Sequence, residues 1–286
     1  MTRLFINVSV FFFTCISTVI HAQKYETFRV TVTGQGQPVF LFPGFACTDE
    51  VYEGLLPSLS GAFEVHRFTF AGFGDVPPVG RPWLSRIRED VADYARNHVS
   101  GKPVVIGHSM GGTLGLWLAC GFPATFSRLI LIDALPAMGA VMMPGYDSST
   151  ITYDSPYNRK LLDMNEKDFA AMVSGLASGM TSDEARAGQI ADRMIAADRE
   201  TYVYGYTDLL KLDLRQDLSE IDIPVTILAA TVPYGKEMAA RNYKAQYRHL
   251  RDYKIIFAEG SAHFIMYDRP DWFLHTIQKE LNIDDE

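Results

Sequence analysis

Cysteine is scarce. Three occur in 286 residues, and Cys15 falls in an apolar N-terminal run. Only Cys47 and Cys120 could pair in the remainder. Cys120 follows Ser109 in a stretch that reads as helix, about 16 Å along it at 1.5 Å per residue. Cys47 is expected near Ser109, for a reason given below. A disulfide needs Cα atoms within about 7 Å, so two free, largely buried thiols are expected. Basic blocks are missing too. The net charge is −8, and no cluster of Lys or Arg offers the footprint of a nucleic-acid partner, so none is expected. Beyond residue 22 no apolar run could span a bilayer. Internal repeats and low-complexity linkers are absent. What is there is ordinary for a globular chain: 48% hydrophobic and 21% charged residues, too apolar for disorder. The length suffices for one large α/β domain with an insertion.

Residues 1–22 read as a segment outside the fold. Arg3 supplies a positive charge, Leu4 to Ile20 is apolar with Phe11-Phe12-Phe13 at its centre, and Ala22 is a small residue before Gln23. This is the pattern of a cleaved signal peptide, which implies export to the periplasm or the extracellular space. An uncleaved anchor is the alternative, since the run is nearly long enough to span. The Asn, Ser, Thr and Cys residues within it favour cleavage.

From Tyr25 to Thr33, Phe28, Val30 and Val32 alternate with Arg29, Thr31 and Thr33, as on an edge strand. Gly34-Gln35-Gly36-Gln37 reads as a hairpin turn. Further strands are expected at Pro38 to Phe42, Val65 to Phe70, Val104 to Gly107, Leu129 to Ile132, Pro224 to Ala230 and Lys254 to Ala258. Helices are expected at Trp83 to Val99, from Met110 onward, at Lys236 to His249 and at Asp271 to Leu281. The rhythm lapses from Ala134 to about Glu220, where only helical segments appear: Lys167 to Leu176, Ser182 to Ala197 and Glu200 to Leu212. Alternating strands and helices predict an α/β fold, a mostly parallel sheet with helices on both faces. The helical block would stand as a cap over the carboxyl ends of the strands. The boundaries are then 23–133 for the first part of the core, 134–220 for the cap and 221–286 for the second part.

One stretch carries chemistry. Val104-Val105-Ile106-Gly107-His108-Ser109-Met110-Gly111-Gly112 reads as a buried strand, a sharp turn and a helix. A serine on such a turn projects its hydroxyl above the sheet, and the glycines around it let neighbouring backbone pass. The Met110 amide opens the helix and faces the same spot, where the dipole favours negative charge. The plainer reading is a glycine-rich turn whose serine caps a helix. A serine nucleophile needs a base. Among seven histidines, His21 leaves with the signal segment. His66, His98, His249 and His275 fall in or beside strands and helices, as structural residues do. His108 neighbours Ser109 but should point away from it. His263 lies in the loop Glu259 to Phe264, at the sheet edge where the Ser109 turn emerges. A second amide donor is expected from Phe45, because the strand ending at Phe42 delivers Pro43-Gly44-Phe45 beside Ser109. A simple Pro-Gly turn is the alternative there. This placement is also what brings Cys47 near the serine. Met138, Met142 and Met143 at the cap entrance would form an apolar substrate surface, or ordinary packing.

These residues resemble the α/β-hydrolase superfamily over nearly all of 25–282, most closely its capped esterase, dehalogenase and haloperoxidase branch. The resemblance rests on Gly107-His108-Ser109-Met110-Gly111-Gly112, Pro43-Gly44-Phe45, the cap position and the late His263. It implies a serine hydrolase of carboxylic esters working through an acyl-enzyme, with no metal or organic cofactor, acting on a small, apolar ester; the signal segment adds that the enzyme is exported. The chain departs from the pattern twice. Pro43 stands where His is common, and no carboxylate follows the strand Val225 to Ala230 before Glu237. Some members carry the acid after the strand following the nucleophile helix, which is Asp133 here. Asp133 is therefore the expected third member, holding the His263 ring, with Glu237 as its rival, whereas Asp213, Asp217 and Asp222 lie at the far end of the sheet. An amide or peptide hydrolase, or a perhydrolase, would use the same serine and histidine. A non-catalytic binding protein on the same scaffold is the remaining alternative.

Overall fold

A computed structural model describes residues 25–59 and 61–283. The expected signal segment at 1–22 lies outside the described residues. Seven strands occur among them: β1 Phe28–Gly34, β2 Gln37–Phe42, β3 Phe63–Phe70, β4 Val104–His108, β5 Arg128–Ile132, β6 Val225–Ala230 and β7 Tyr253–Ala258. They form one sheet in the order β1-β3-β2-β4-β5-β6-β7, parallel except for β1. The helices are α1 Leu56–Leu59, α2 Trp83–His98, α3 Met110–Gly121, α4 Gly139–Met142, α5 Pro156–Asp163, α6 Glu166–Ala177, α7 Glu184–Ala196, α8 Arg199–Lys211, α9 Lys236–Gln246, α10 Ile265–Asp268 and α11 Pro270–Leu281.

The central strands are β-branched and aliphatic, and β4 and β6 are buried along their whole length. That suits parallel strands covered on both faces. One face carries α2, where Tyr94 packs on Phe28, Phe40 and Phe68. It also accepts or donates a hydrogen bond with buried His66 at 2.9 Å. At the far side of the sheet α11 is tied to β6, where Thr226 Oγ1 donates to Glu280 at 2.7 Å. Lys254 lies 2.7 Å from the same carboxylate, so this buried charge is paired.

The expected hairpin between β1 and β2 is not one. β1 pairs antiparallel with β3 as an edge strand, while β2 lies between β3 and β4. Gly36, at φ +120°, is needed for a different reason: a Cβ there would strike the carbonyl of Ala62. The glycine permits a crossing over the entry to β3, which the turn-like composition imitates.

Between β5 and β6 the chain is helical only, α4 to α8. Four of these helices start on a side-chain cap. Ser155, Asn165, Asp183 and Asp198 accept from the amides of Asn158, Asp168, Arg186 and Thr201, each cap stabilising by about 1 kcal/mol. The cap of α7 is Asp183 and not Ser182. Ser182 turns instead to Asp268, to which its amide and hydroxyl both donate.

Candidate active site

The parallel sheet brings three chain exits to one edge. The amide of Ser109 donates to Ile132 O at 2.8 Å, and that of Asp133 to Leu228 O at 2.8 Å. Each continues the ladder one step beyond its strand. The loop after β7 is pulled back across β6 by the amides of Thr231 and Val232, both donating to Ser261 O.

Ser109 has φ 53° and ψ −121°, a conformation costing on the order of 1–3 kcal/mol for a residue with a side chain. Close backbone packing enforces it. A Cβ on Gly107 would come 2.5 Å from Gly111 O, and one on Gly111 2.6 Å from Pro43 O. The first helical amide, that of Met110, has no acceptor within the helix. Gly44 also approaches closely: a Cβ there would lie 3.4 Å from Ser109 Cβ. The backbone leading to Phe45 thus passes beside the serine. The ring of Phe45 rises into the helical segment and packs on Phe73, Trp83, Tyr202 and Tyr206.

His263 Nδ1 lies 2.6 Å from Asp133 Oδ2. The other carboxylate oxygen accepts from the Ala230 amide at 2.9 Å and from the Tyr243 hydroxyl at 2.7 Å. Burial pushes the Asp133 carboxyl up, but the hydrogen bond and charge of His263, with the Tyr243 and Ala230 donors, outweigh it and hold the group below its usual value. Asp133 therefore stays ionised and fixes the histidine ring through Nδ1. Glu237 is exposed in the first turn of α9, where the helix dipole accounts for an acid. It is Asp133 that meets the ring.

His108, expected to point away from its neighbour Ser109, still faces the site. The chain reverses so tightly at Ser109 that its ring lies against that of His263, with centroids 4.7 Å apart, and it lines the same cavity as Ser109. Its Nε2 donates to the backbone oxygen of His263 at 3.1 Å. Burial, and then the neighbouring His263 charge, lower its pKa to about 3, so it is a neutral support beneath the histidine loop.

Sequence reasoning also missed Asp268. Its carboxylate accepts from Thr181 Oγ1 at 2.6 Å, Ser182 N at 2.8 Å and Ala262 N at 2.7 Å. The Phe264 amide donates to Met180 O at 2.9 Å. Together these strap both sides of His263 to the entry of α7. A carboxylate a helical turn after a candidate base was the available signal.

Ser109 and His263 open onto a cavity of about 490 Å³ bounded by the helical segment. Met138 and Met142 line it as expected, but Met143 does not: its terminal methyl faces back toward Gly139 at the base of α4. Met172, Met180 and Met194 line it as well. Cys47 and Cys120, the cysteines among the described residues, are free, Cys47 buried and Cys120 partly so.

Residues 39–276 match the alpha/beta hydrolase family. The chain belongs to that family. As a hydrolase it is an enzyme, and its relatives bear enzyme names. A pimeloyl-[acyl-carrier protein] methyl ester esterase from Nitrosomonas europaea is 23% identical over 253 residues, 86% of this chain and 96% of the relative. A 3-oxoadipate enol-lactonase from Acinetobacter baylyi is 21% identical, covering 90% and 94%. Among solved structures, an esterase from Exiguobacterium antarcticum superposes on this hydrolase with a TM-score of 0.73 at 17% identity, covering 89% of this chain and 95% of the other. The enol-lactonase from Burkholderia xenovorans gives 0.74 at 16% identity, covering 89% and 96%. At these identities the structures speak for the fold alone.

Proposed function

We propose that this enzyme hydrolyses carboxylic esters through Ser109, His263 and Asp133. The observation that carries the proposal is the 2.6 Å contact between His263 Nδ1 and Asp133, at the cavity into which the strained Ser109 turn opens. Ser109 Oγ attacks the ester carbonyl while His263 Nε2 takes its proton. The Met110 amide, and that of Phe45, receive the negative charge that develops on the carbonyl oxygen. His263 then gives the proton to the leaving alkoxide, and the alcohol departs. Water attacks the acyl-enzyme with the same base, restoring Ser109 and releasing the acid. Asp133 stays ionised and stabilises the imidazolium formed in both halves.

The helical segment from α4 to α8 acts as a cap that shields the acyl-enzyme from bulk water. Export is proposed as well, on the composition of residues 1–22 alone. Mass analysis of the protein recovered from each cell fraction tests it: retention of intact residues 1–22 in the cytoplasm refutes it.

The decisive experiment for the chemistry is labelling by a fluorophosphonate, followed by peptide mapping. Label on Ser109, lost in Ser109→Ala and strongly slowed in His263→Ala, is the expected result. Ester turnover that survives Ser109→Ala would refute the assignment.

A further inference from the structure

Two cavities meet at Ser109. The larger, about 490 Å³, runs into the helical segment. The smaller, about 190 Å³, lies on the Asp133 side and is bounded by Met110, Ala134, Leu135 and Tyr243. Ser109, Met138, Leu209 and His263 belong to both. An ester held at Ser109 therefore has room for a long arm on one side and a short arm on the other.

The larger compartment is uncharged. Among the described residues that line it there is no Lys, Arg, Asp or Glu. Its walls are aliphatic side chains such as Leu161, Met172, Met180 and Leu210. Burial pushes the phenols of Tyr202 and Tyr206 up to about 12, so they stay neutral. Buried Asn158 and Thr207 in the wall turn their hydrogens into the protein, as His108 does through Nε2. Asn158 Nδ2 donates to Tyr153 O at 2.8 Å and to Thr207 Oγ1 at 2.9 Å, and Thr207 Oγ1 donates to Val203 O at 2.8 Å. A carboxylate at the end of a long arm would lose its water there and meet no counter-charge. An alkyl chain would meet methionines, whose unbranched side chains adapt to its shape.

We infer that the substrates are neutral esters with one long apolar arm and one short arm, and that esters whose long arm ends in a carboxylate are rejected. This rests on the ester-hydrolase reading above. The test uses the full protein and three series of esters, each kept below its micelle concentration. They are methyl alkanoates from butanoate to decanoate, alkyl acetates of matching length, and monomethyl esters of the dicarboxylic acids of matching length. In at least one neutral series kcat/KM should rise about fourfold per methylene until the compartment is full. Each carboxylate-ended ester should fall at least about 100-fold below its neutral counterpart. A flat length dependence in both neutral series, or equal rates for charged and neutral partners, overturns the inference while leaving the ester-hydrolase reading in place. No turnover of any ester, together with no fluorophosphonate label on Ser109, overturns both.

Discussion

Acid should destabilise this fold through His108 before its carboxylates are reached. The ring is fully buried, donates from Nε2 to His263 O, and presents Nδ1 with no hydrogen-bond partner among the described residues. A proton on Nδ1 would have no acceptor, and the resulting charge would have no water. In the unfolded chain the same imidazole titrates near 6.5, whereas in the fold its pKa is about 3. The folded value is depressed, so the stability linked to this group is present above about 6.5 and is lost as the pH falls toward about 3. At pH 4.5 the unfolded state has gained two pH units' worth of protonation that the folded state refuses. At about 1.4 kcal/mol per unit, this costs roughly 3 kcal/mol, a sizeable share of a typical 5–15 kcal/mol. The perturbation that isolates it is His108→Gln, which keeps an amide donor for His263 O and cannot titrate. Urea unfolding of both proteins at pH 7.5, 6.5, 5.5 and 4.5 gives two stability curves whose difference cancels all other titrating groups. Their difference should shrink or invert by roughly 3 kcal/mol between pH 7.5 and 4.5. Curves that stay parallel would refute the argument.

Asp133→Asn keeps the shape but favours the wrong histidine tautomer, and should lower kcat by about 10³ to 10⁴ in steady-state assays. Glu237→Gln should cost less than roughly tenfold, and the reverse order would make Asp133 a loop anchor. Asp268→Asn should lower kcat by about 10- to 100-fold with KM little changed, since it loosens the loop on both sides of His263. Asp268→Glu should recover part of that loss. Gly111→Ala should destabilise by about 3 kcal/mol or more by forcing a Cβ against the Phe42 and Pro43 carbonyls. Gly175→Ala in α6, where nothing lies within 4 Å, should instead stabilise by about 0.5–1 kcal/mol; denaturant midpoints check both.

What the sequence made legible follows the range of the interactions involved. The strands β2 to β7 were readable because apolar runs with Gly and Pro between them report burial directly. The Ser109 turn was readable because its glycines answer to a local steric demand. Strand pairing was not: Gly34 to Gln37 has hairpin composition, but its glycine serves Ala62, a residue distant in sequence. The caps of α6 and α8 stand in the sequence as Asn165 and Asp198, yet the periodicity places both helix starts one residue late, at Lys167 and Glu200, and does not reveal α5 after its cap Ser155. Asp133 could be assigned to His263 from its place at the right edge, but position alone left Glu237 as a rival, since the contact closes over 130 residues of chain. The roles of His108 and Asp268 are of the same long-range kind.

The strap on Asp268 divides the wall of the larger cavity into two mechanical parts. Met180, beside the strapped residues Thr181 and Ser182, belongs to a wall that is bolted to the His263 loop. Outward displacement of that wall would drag His263 off its station, so it makes a poor doorway. Met142 and Tyr157 border the same cavity, are 54% and 63% exposed, and carry none of these bonds. A displacement of that rim would leave the bonds at Asp268 in place, so this part of the cavity wall and the His263 loop can change independently of one another.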